Sequence, residues 1–301
     1  MCPQRPQGFE DLRFDDSDEL EDSEEVEDWH DNDVYVYSED EAVAAITGYY
    51  AFLTQIYMNE SSVMYPPPGG WPEIVNADPA KLQTLGKSDG VLSLMARLPY
   101  IRLQDDTQPV PSGSFKDWPH LIHDFCTHNS SPESVRLSTE GCDFMHLSPS
   151  HVFGLACGPY ADCPVIILDT KLGLVQWELC PPEVEMNDSG YEDVNWDPNW
   201  NQVASREERV WREEAMAWTI PDFFGVLKYQ LRELRWVPVG ARTLRTVSEN
   251  DDGGDEAGMM PMLKDIYHRH GWPDLAIYRK TECLAAVEKA MAENFPSSGG
   301  D

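Results

Sequence analysis

The sequence predicts an α+β fold in which a mainly antiparallel sheet carries helices packed on one face, with additional C-terminal helices. Three observations predict this fold. Apolar residues recur at spacings of three and four near both ends of the chain, short β-branched runs fill its middle, and short connections join those runs. Helices and strands that segregate in this way are typical of the α+β class.

Two helices are predicted early in the chain. Ser38 and Glu41 form a capping box, and the helix behind them runs to about Met58. A second helix starts at Ser88 and ends before Pro99, because proline cannot continue a helix. The apolar stripe of the first helix is Val43, Ile46, Tyr50, Leu53 and Tyr57, and that of the second is Val91, Leu92, Met95 and Leu98.

The segment MYPPPGGWPEI, residues 64–74, separates these two helices. Three prolines favour an extended turn, two glycines permit backbone angles closed to other residues, and a tryptophan returns the chain to an apolar surface. The residues with these structural roles are Pro66, Pro67, Pro68, Gly69, Gly70 and Trp71. We therefore predict a fixed corner. The alternative, a ligand for a proline-reading domain, requires an exposed tryptophan beside solvent-facing prolines.

The runs HVFGLACG, PVIILDT and GLVQWELC predict three strands of an antiparallel meander. In the last run the polar positions Gln176 and Glu178 lie opposite a face formed by Val175, Trp177 and Leu179. The turn DTKLG joins the second and third strands. Asp169 and Gly173 are its structural residues, since an aspartate that closes a strand usually caps its own backbone.

Four helices are predicted after the strands. A charged helix runs from Ser205 to about Trp218, and the next opens at Thr219 with Pro221 in its first turn. The apolar stripe of this second helix, which ends before Pro238, is Phe224, Leu227, Leu231 and Leu234. The last two helices cover Met262–His268 and Thr281–Phe295.

Charge and composition divide the chain into segments. Residues 10–41 carry 17 acidic side chains against one arginine, and such a segment repels itself too strongly to collapse. Residues 1–37 are therefore predicted to be a disordered acidic tail, which either solubilises the protein or docks to a partner. The remaining segments are an α+β domain at 38–247 with an internal loop near 185–204, a flexible loop at 248–260, a C-terminal helical extension at 261–295 and a disordered tail at 296–301.

The net charge of −32, from 54 acidic and 22 basic residues, argues against a nucleic-acid partner, because phosphates would be repelled. A basic protein is the expected partner instead. No apolar run reaches the roughly 20 residues that cross a bilayer, and the N-terminus lacks the order of a signal peptide. We expect a cytoplasmic protein, with the nucleus as the alternative, no membrane partner, and seven free cysteines.

Several stretches together resemble a group of uncharacterised filamentous-fungal proteins. They are ITGYYAFLTQIYM, YPPPGGWPEI, LMARLPYI, VIILDTKLGLVQW, WTIPDFFGVLKYQLRELRWVPV and IYHRHGWPDLAIYRKTECLAAVEKAM, and the likeness covers roughly residues 38–295. That group looks like the SMI and KNR-type cell-wall assembly regulators of the SUKH superfamily. The long loops and the helices after Gly258 depart from the compact domain of that superfamily.

The resemblance implies a SUKH-like, non-enzymatic module that binds proteins as a scaffold or regulator in cell-wall or stress signalling. It brings no catalytic residues and no cofactor. Two alternatives stay open. Tryptophans of the second half could line a sugar-stacking cleft of a carbohydrate-binding protein or hydrolase, namely Trp196, Trp200, Trp211, Trp218 and Trp236. The other alternative is an acidic chaperone of basic proteins that works through its tail.

Histidines and cysteines in the middle of the chain are candidate zinc ligands. His120 and His123 are three residues apart and Cys142 and His146 four apart, so each pair could share a helix face and supply zinc ligands. Their spacing matches no zinc motif, and helix packing explains the first pair. No phosphate loop, dinucleotide fingerprint or serine-hydrolase elbow follows any strand. The sequence therefore favours binding over catalysis.

Overall fold

The structure is a computed structural model that describes residues 36–128, 130–141, 148–157, 164–185, 190–191, 212, 215–246 and 257–296. The described helices are α1 (Glu39–Ile56), α2 (Pro72–Val75), α3 (Pro79–Thr84), α4 (Asp89–Arg97), α5 (Trp118–Thr127), α6 (Pro132–Glu140), α7 (Pro182–Glu185), α8 (Ile220–Arg232), α9 (Met259–Arg269) and α10 (Lys280–Asn294). The described strands are β1 (Val63–Met64), β2 (Tyr100–Ile101), β3 (Val152–Cys157), β4 (Val165–Asp169), β5 (Leu174–Glu178), β6 (Ala215–Thr219), β7 (Trp236–Pro238) and β8 (Leu244–Thr246).

The α+β prediction is confirmed. Strands β3, β4, β5 and β6 form a four-stranded sheet in that order, and every neighbouring pair is antiparallel. The predicted meander is β3, β4 and β5, and β6 adds a fourth strand to it. Two small antiparallel pairs, β1 with β2 and β7 with β8, lie outside this sheet.

The helix predicted to run to about Trp218 is wrong at its C-terminal end. Residues 215–219 form strand β6, which pairs with β5 over its whole length, Trp218 opposite Val175. Alanine, methionine and tryptophan do not forbid a helix locally. Pairing with a buried strand overrides that weak preference. The earlier part of this predicted helix lies outside the described residues apart from Arg212, which is helical.

The predicted helix starts are confirmed by their caps. The Ser38 hydroxyl accepts a hydrogen bond from the Glu41 amide, and the Ser88 hydroxyl accepts one from the Val91 amide, both at 3.3 Å. Thr219 caps α8 in the same way through the Asp222 amide. These bonds satisfy amides that have no partner inside the helix. A polar cap before an apolar stripe therefore located three helices from sequence.

The main core lies between one face of the sheet and helices α8 and α1. Cross-strand register places Trp177 opposite Ile166 and Met216 on this face, where its ring meets Phe223 of α8 at 6.2 Å. Phe224 of α8 in turn reaches Tyr49 of α1, with ring centroids 5.4 Å apart. Burial of such large rings supplies most of the stabilising free energy in a core of this kind.

Helix α6 approaches the other face of the sheet at Gly154 of β3. A methyl group added at Gly154 would lie 1.7 Å from the Thr139 carbonyl oxygen at the end of α6. The Trp118 indole of α5 donates to the Gly154 carbonyl at 2.9 Å. A residue without a side chain is therefore required where two helices meet the edge strand.

The C-terminal helices begin slightly earlier than predicted, at Met259 and Lys280, and they are tied to the domain. The Tyr267 hydroxyl donates to the Pro238 carbonyl at 3.0 Å. The Lys280 ammonium donates to the carbonyls of Thr54 and Met58 at the end of α1. A cation at this position also opposes the negative end of the α1 dipole.

Within the described part of the chain, none of the helices combines the length and the apolar character needed to cross a bilayer.

Substituting Gly154 tests the packing of α6 on the sheet. We expect Gly154→Ala to lower the free energy of unfolding by about 3 kcal/mol, because the new methyl group meets backbone atoms that cannot move aside. Denaturant titration of both variants against the parent measures the effect. Gly240→Ala is the matched control, since open space surrounds Gly240, and its cost should stay within about 0.5 kcal/mol. Equal costs for both variants would contradict the described contact.

Candidate functional site

The proline segment forms a turn whose apex faces solvent. The Gly70 amide donates to the Pro67 carbonyl at 2.9 Å, and both Gly69 and Gly70 have positive φ angles, 95° and 93°. Pro67 and Pro68 are exposed, and Pro66 is half-buried. Only glycine adopts these angles without strain, which explains the pair of glycines after the prolines.

Trp71 fixes this corner to α4. Its indole donates to the Leu98 carbonyl at 2.7 Å, its amide donates to the Ala96 carbonyl at 3.0 Å, and its ring lies 5.9 Å from Tyr100. A Cβ atom on Gly70 would come within 3.0 Å of the same Ala96 carbonyl. The corner thus combines solvent-facing prolines with a tryptophan held against the fold, so the chain is rigid at this point.

An open groove of about 740 Å³ lies between the corner, α1 and α4, and we call it the proline-corner groove. Most of its lining is apolar. The residues that line it are Val43, Pro66, Pro67, Gly69, Gly70, Ile74, Val75, Leu82, Asp89, Leu92, Ser93, Ala96 and Arg97. Helices α2 and α3 supply three of these side chains, and neither helix was predicted. Pro72 after Trp71 and Pro79 after the cap Asp78 were usable signals, since proline favours the first turn of a helix.

Acidic side chains dominate the rim of this groove. Arg97 binds Glu39 at 2.7 Å and Asp40 at 2.6 Å, and these hydrogen bonds raise the pKa of its guanidinium. Asp89 is exposed on the same rim. Three carboxylates against one guanidinium leave a net charge of −2 on these four groups. The groove therefore presents an apolar floor beside excess negative charge.

A second groove, of about 810 Å³, lies at the opposite end of α1, and we call it the C-terminal groove. It is more polar than the first. Its lining consists of Thr54, Gln55, Tyr57, Asn59, Glu60, Ala241, Leu275, Tyr278, Lys280, Thr281, Leu284, Ala285 and Glu288. Burial lowers the pKa of Lys280, and the Glu60 charge partly opposes that shift. Glu60 and Glu288 are both exposed, so this groove also carries acidic groups.

Asp169 lies at the centre of a buried polar cluster. Its Oδ1 atom accepts hydrogen bonds from the amides of Lys171 and Leu172, and its carbonyl accepts the Gly173 amide, so it caps the turn in the manner that the sequence predicts. Gly173 has a φ of 71°. The other oxygen, Oδ2, lies 2.5 Å from Arg212. This ion pair was not predicted.

Two side chains of β5 and the residue after it lie where the alternation of the strand did not place them. Gln176, predicted on a polar face, is 1% exposed, and its amide oxygen accepts a hydrogen bond from Arg212 at 2.7 Å that offsets the cost of its burial. Leu179, predicted beside Trp177, lies beyond the strand with a φ of 51° and is exposed. Period-two patterning cannot reveal a buried arginine supplied by a distant segment, and nothing in the charged surroundings of Arg212 distinguishes it.

The four metal candidates are only partly described. His120 and His123 lie on α5, where His120 is 3.3 Å from Asp124 and His123 is exposed. Cys142 and His146 lie outside the described residues. Across the ranges that the structure describes, no group of three or more histidine, cysteine, aspartate or glutamate side chains could hold a metal ion. The structure therefore does not bring the described pair together with further ligands.

The remaining predicted residues have core or helix-start positions. Pro221 lies in the first turn of α8. Trp218 and Trp236 are buried in the main core, where the Trp236 ring meets Trp177 at 6.2 Å. The other three tryptophans of the sugar-binding alternative, Trp196, Trp200 and Trp211, lie outside the described residues. The two described members of that set therefore stabilise the fold.

Comparison of the chain with protein-family models, with curated proteins and with solved structures found no match.

Neutralising Asp169 tests the buried ion pair. Asp169→Asn keeps an oxygen for the turn but removes the carboxylate charge that faces buried Arg212, so we expect the free energy of unfolding to fall by about 3 kcal/mol. Asp265→Asn is the control, because its pair with Arg269 is more than half exposed and should cost at most about 1 kcal/mol. Denaturant titration measures both, and a small cost at Asp169 would contradict the buried pair.

Proposed function

We propose that this chain is a non-enzymatic protein-binding module and that the proline-corner groove receives a basic, partly apolar segment of its partner. The observation that carries this proposal is an apolar groove that is open, rigidly framed and bordered by acidic groups. A volume of about 740 Å³ falls in the range of sites that bury side chains or small ligands. The resemblance described above implies the same class of function.

The frame of the groove favours binding because it is ordered before a partner arrives. Trp71 holds the corner through one hydrogen bond to Ala96 of α4 and one to Leu98 directly after it, and Arg97 joins α4 to the first turn of α1. A partner therefore does not have to order a loop, a step that would reduce the affinity. Val75 is 51% exposed on the groove, and its contact with a partner would remove apolar surface from water.

The charge of the chain supports a basic partner. A net charge of −32 attracts basic proteins from a distance and increases their association rate at low ionic strength. The excess carboxylates of the rim would then lie beside lysine or arginine side chains that flank the buried apolar residues. Binding should accordingly weaken as salt is added.

The polar clusters that the structure describes support a binding role over a catalytic one, because each of them stabilises the fold. Asp169 caps a turn and neutralises Arg212. Lys87 pairs with Glu140 between the start of α4 and the end of α6, and burial lowers the pKa of its ammonium. Both clusters join distant segments of the chain. The setting in cell-wall or stress signalling remains an expectation of the resemblance.

A displayed library of random twelve-residue peptides, selected on the full chain, tests this proposal. We expect the recovered peptides to be enriched in lysine, arginine and large apolar residues. Val75→Gln should weaken their binding about tenfold, which corresponds to about 1.4 kcal/mol, in isothermal calorimetry. Leu103→Gln is the matched control, since Leu103 is 55% exposed and lines neither groove. Peptides that are acidic, or that bind Val75→Gln as tightly as the parent chain, would refute the proposal.

A further inference from the structure

The two grooves lie along the same side of α1. Val43 lines the proline-corner groove, and Thr54 lines the C-terminal groove. They are eleven residues apart, and eleven residues make just over three full turns of an α-helix, so both side chains point in nearly the same direction. At about 1.5 Å per residue the separation along the helix axis is roughly 16 Å.

The surface of α1 between the grooves carries mostly small side chains. Ala44, Thr47, Ala51 and Gln55 follow one another at spacings of three, four and four, which places them in one row on the helix. Ala44 and Gln55 are exposed, and Thr47 and Ala51 are half-buried. Three small side chains allow the backbone of another chain to approach closely. The grooves are therefore joined by an accessible strip.

From this arrangement we infer that one amphipathic, basic helix of the partner protein lies along α1 and places an apolar side chain in each groove. The inference rests on the proposed function and extends it to the second groove. A helix fits better than an extended segment, because the backbone of α1 is hydrogen-bonded internally and offers no partners. A helix satisfies its own backbone groups, whereas an extended segment would leave groups unpaired against α1.

The charges at both ends of the strip favour the same occupant. Asp89 and the excess carboxylate beside Arg97 border one groove, and at the other the two carboxylates of Glu60 and Glu288 outnumber the single ammonium of Lys280. Basic side chains that flank two apolar anchors would meet acidic groups at each end. The anchors should be about eleven residues apart in the partner, since two helices that lie side by side have the same rise per residue.

A library of lysine-rich, helix-forming twenty-residue peptides with randomised apolar positions tests this inference on the full chain. Selected peptides should carry two apolar anchors about eleven residues apart. Val75→Gln in the first groove and Leu275→Gln in the second should each weaken binding about tenfold, and the double variant about a hundredfold, in isothermal calorimetry. Shortened peptides with one anchor should respond to only one of the two substitutions.

Adding bulk and positive charge to the strip tests whether the peptides lie on it. Ala44→Arg should weaken the twenty-residue peptides at least tenfold, while Ala80→Arg on α3, also at an exposed position, should leave binding unchanged. Loss of binding with Val75→Gln but not with Leu275→Gln or Ala44→Arg would overturn the two-groove inference and leave the proposed function intact. Twenty-residue peptides that bind Val75→Gln as tightly as the parent chain would overturn both. Thermal unfolding of each variant verifies that the fold is retained.

Discussion

A series of contacts between aromatic rings links the sheet to α1 through α8 and fixes the position of α1. The geometry of both grooves depends on this series of contacts. Trp177 on β5 meets Phe223 of α8, Phe223 meets Phe224 at 5.2 Å, and Phe224 meets Tyr49 of α1. All four side chains are buried. Because α1 buries Tyr49 and its neighbours against α8, its opposite side is left for the two grooves. The position of both grooves therefore depends on this ring contact.

The grooves illustrate how an acidic protein can combine charge with apolar contact. Exposed carboxylates alone attract basic molecules with little selectivity. These interactions are also weak and are screened by salt. An apolar floor adds an energy that depends on shape and is insensitive to salt. Arg97 contributes to both the shape and the charge of the groove. It holds α4 to the start of α1, and it neutralises only one of the two carboxylates that it binds.

Local chemistry made much of the fold predictable. Ser38, Ser88 and Thr219 marked helix starts because their hydroxyl groups cap amides only a few residues away. Asp169 marked a turn for the same reason. Strand β6 was missed, because the residues of a short apolar run do not show whether a neighbouring strand will pair with them. Of the candidate site, the proline corner was recognised, but the side chains of α2 and α3 that complete the groove were not.

The sequence by itself determined the class of fold, the positions of the capped helices and the acidic character of the chain, since each depends on residue type and short-range spacing. Tertiary structure decided the rest. It buried Arg212 against Asp169 and Gln176, gave Trp71 its carbonyl partner on Leu98, and placed Val75 and Leu92 on one groove. These contacts join segments separated by many residues. Their energies depend on distance in space, for which a single sequence contains no direct measure.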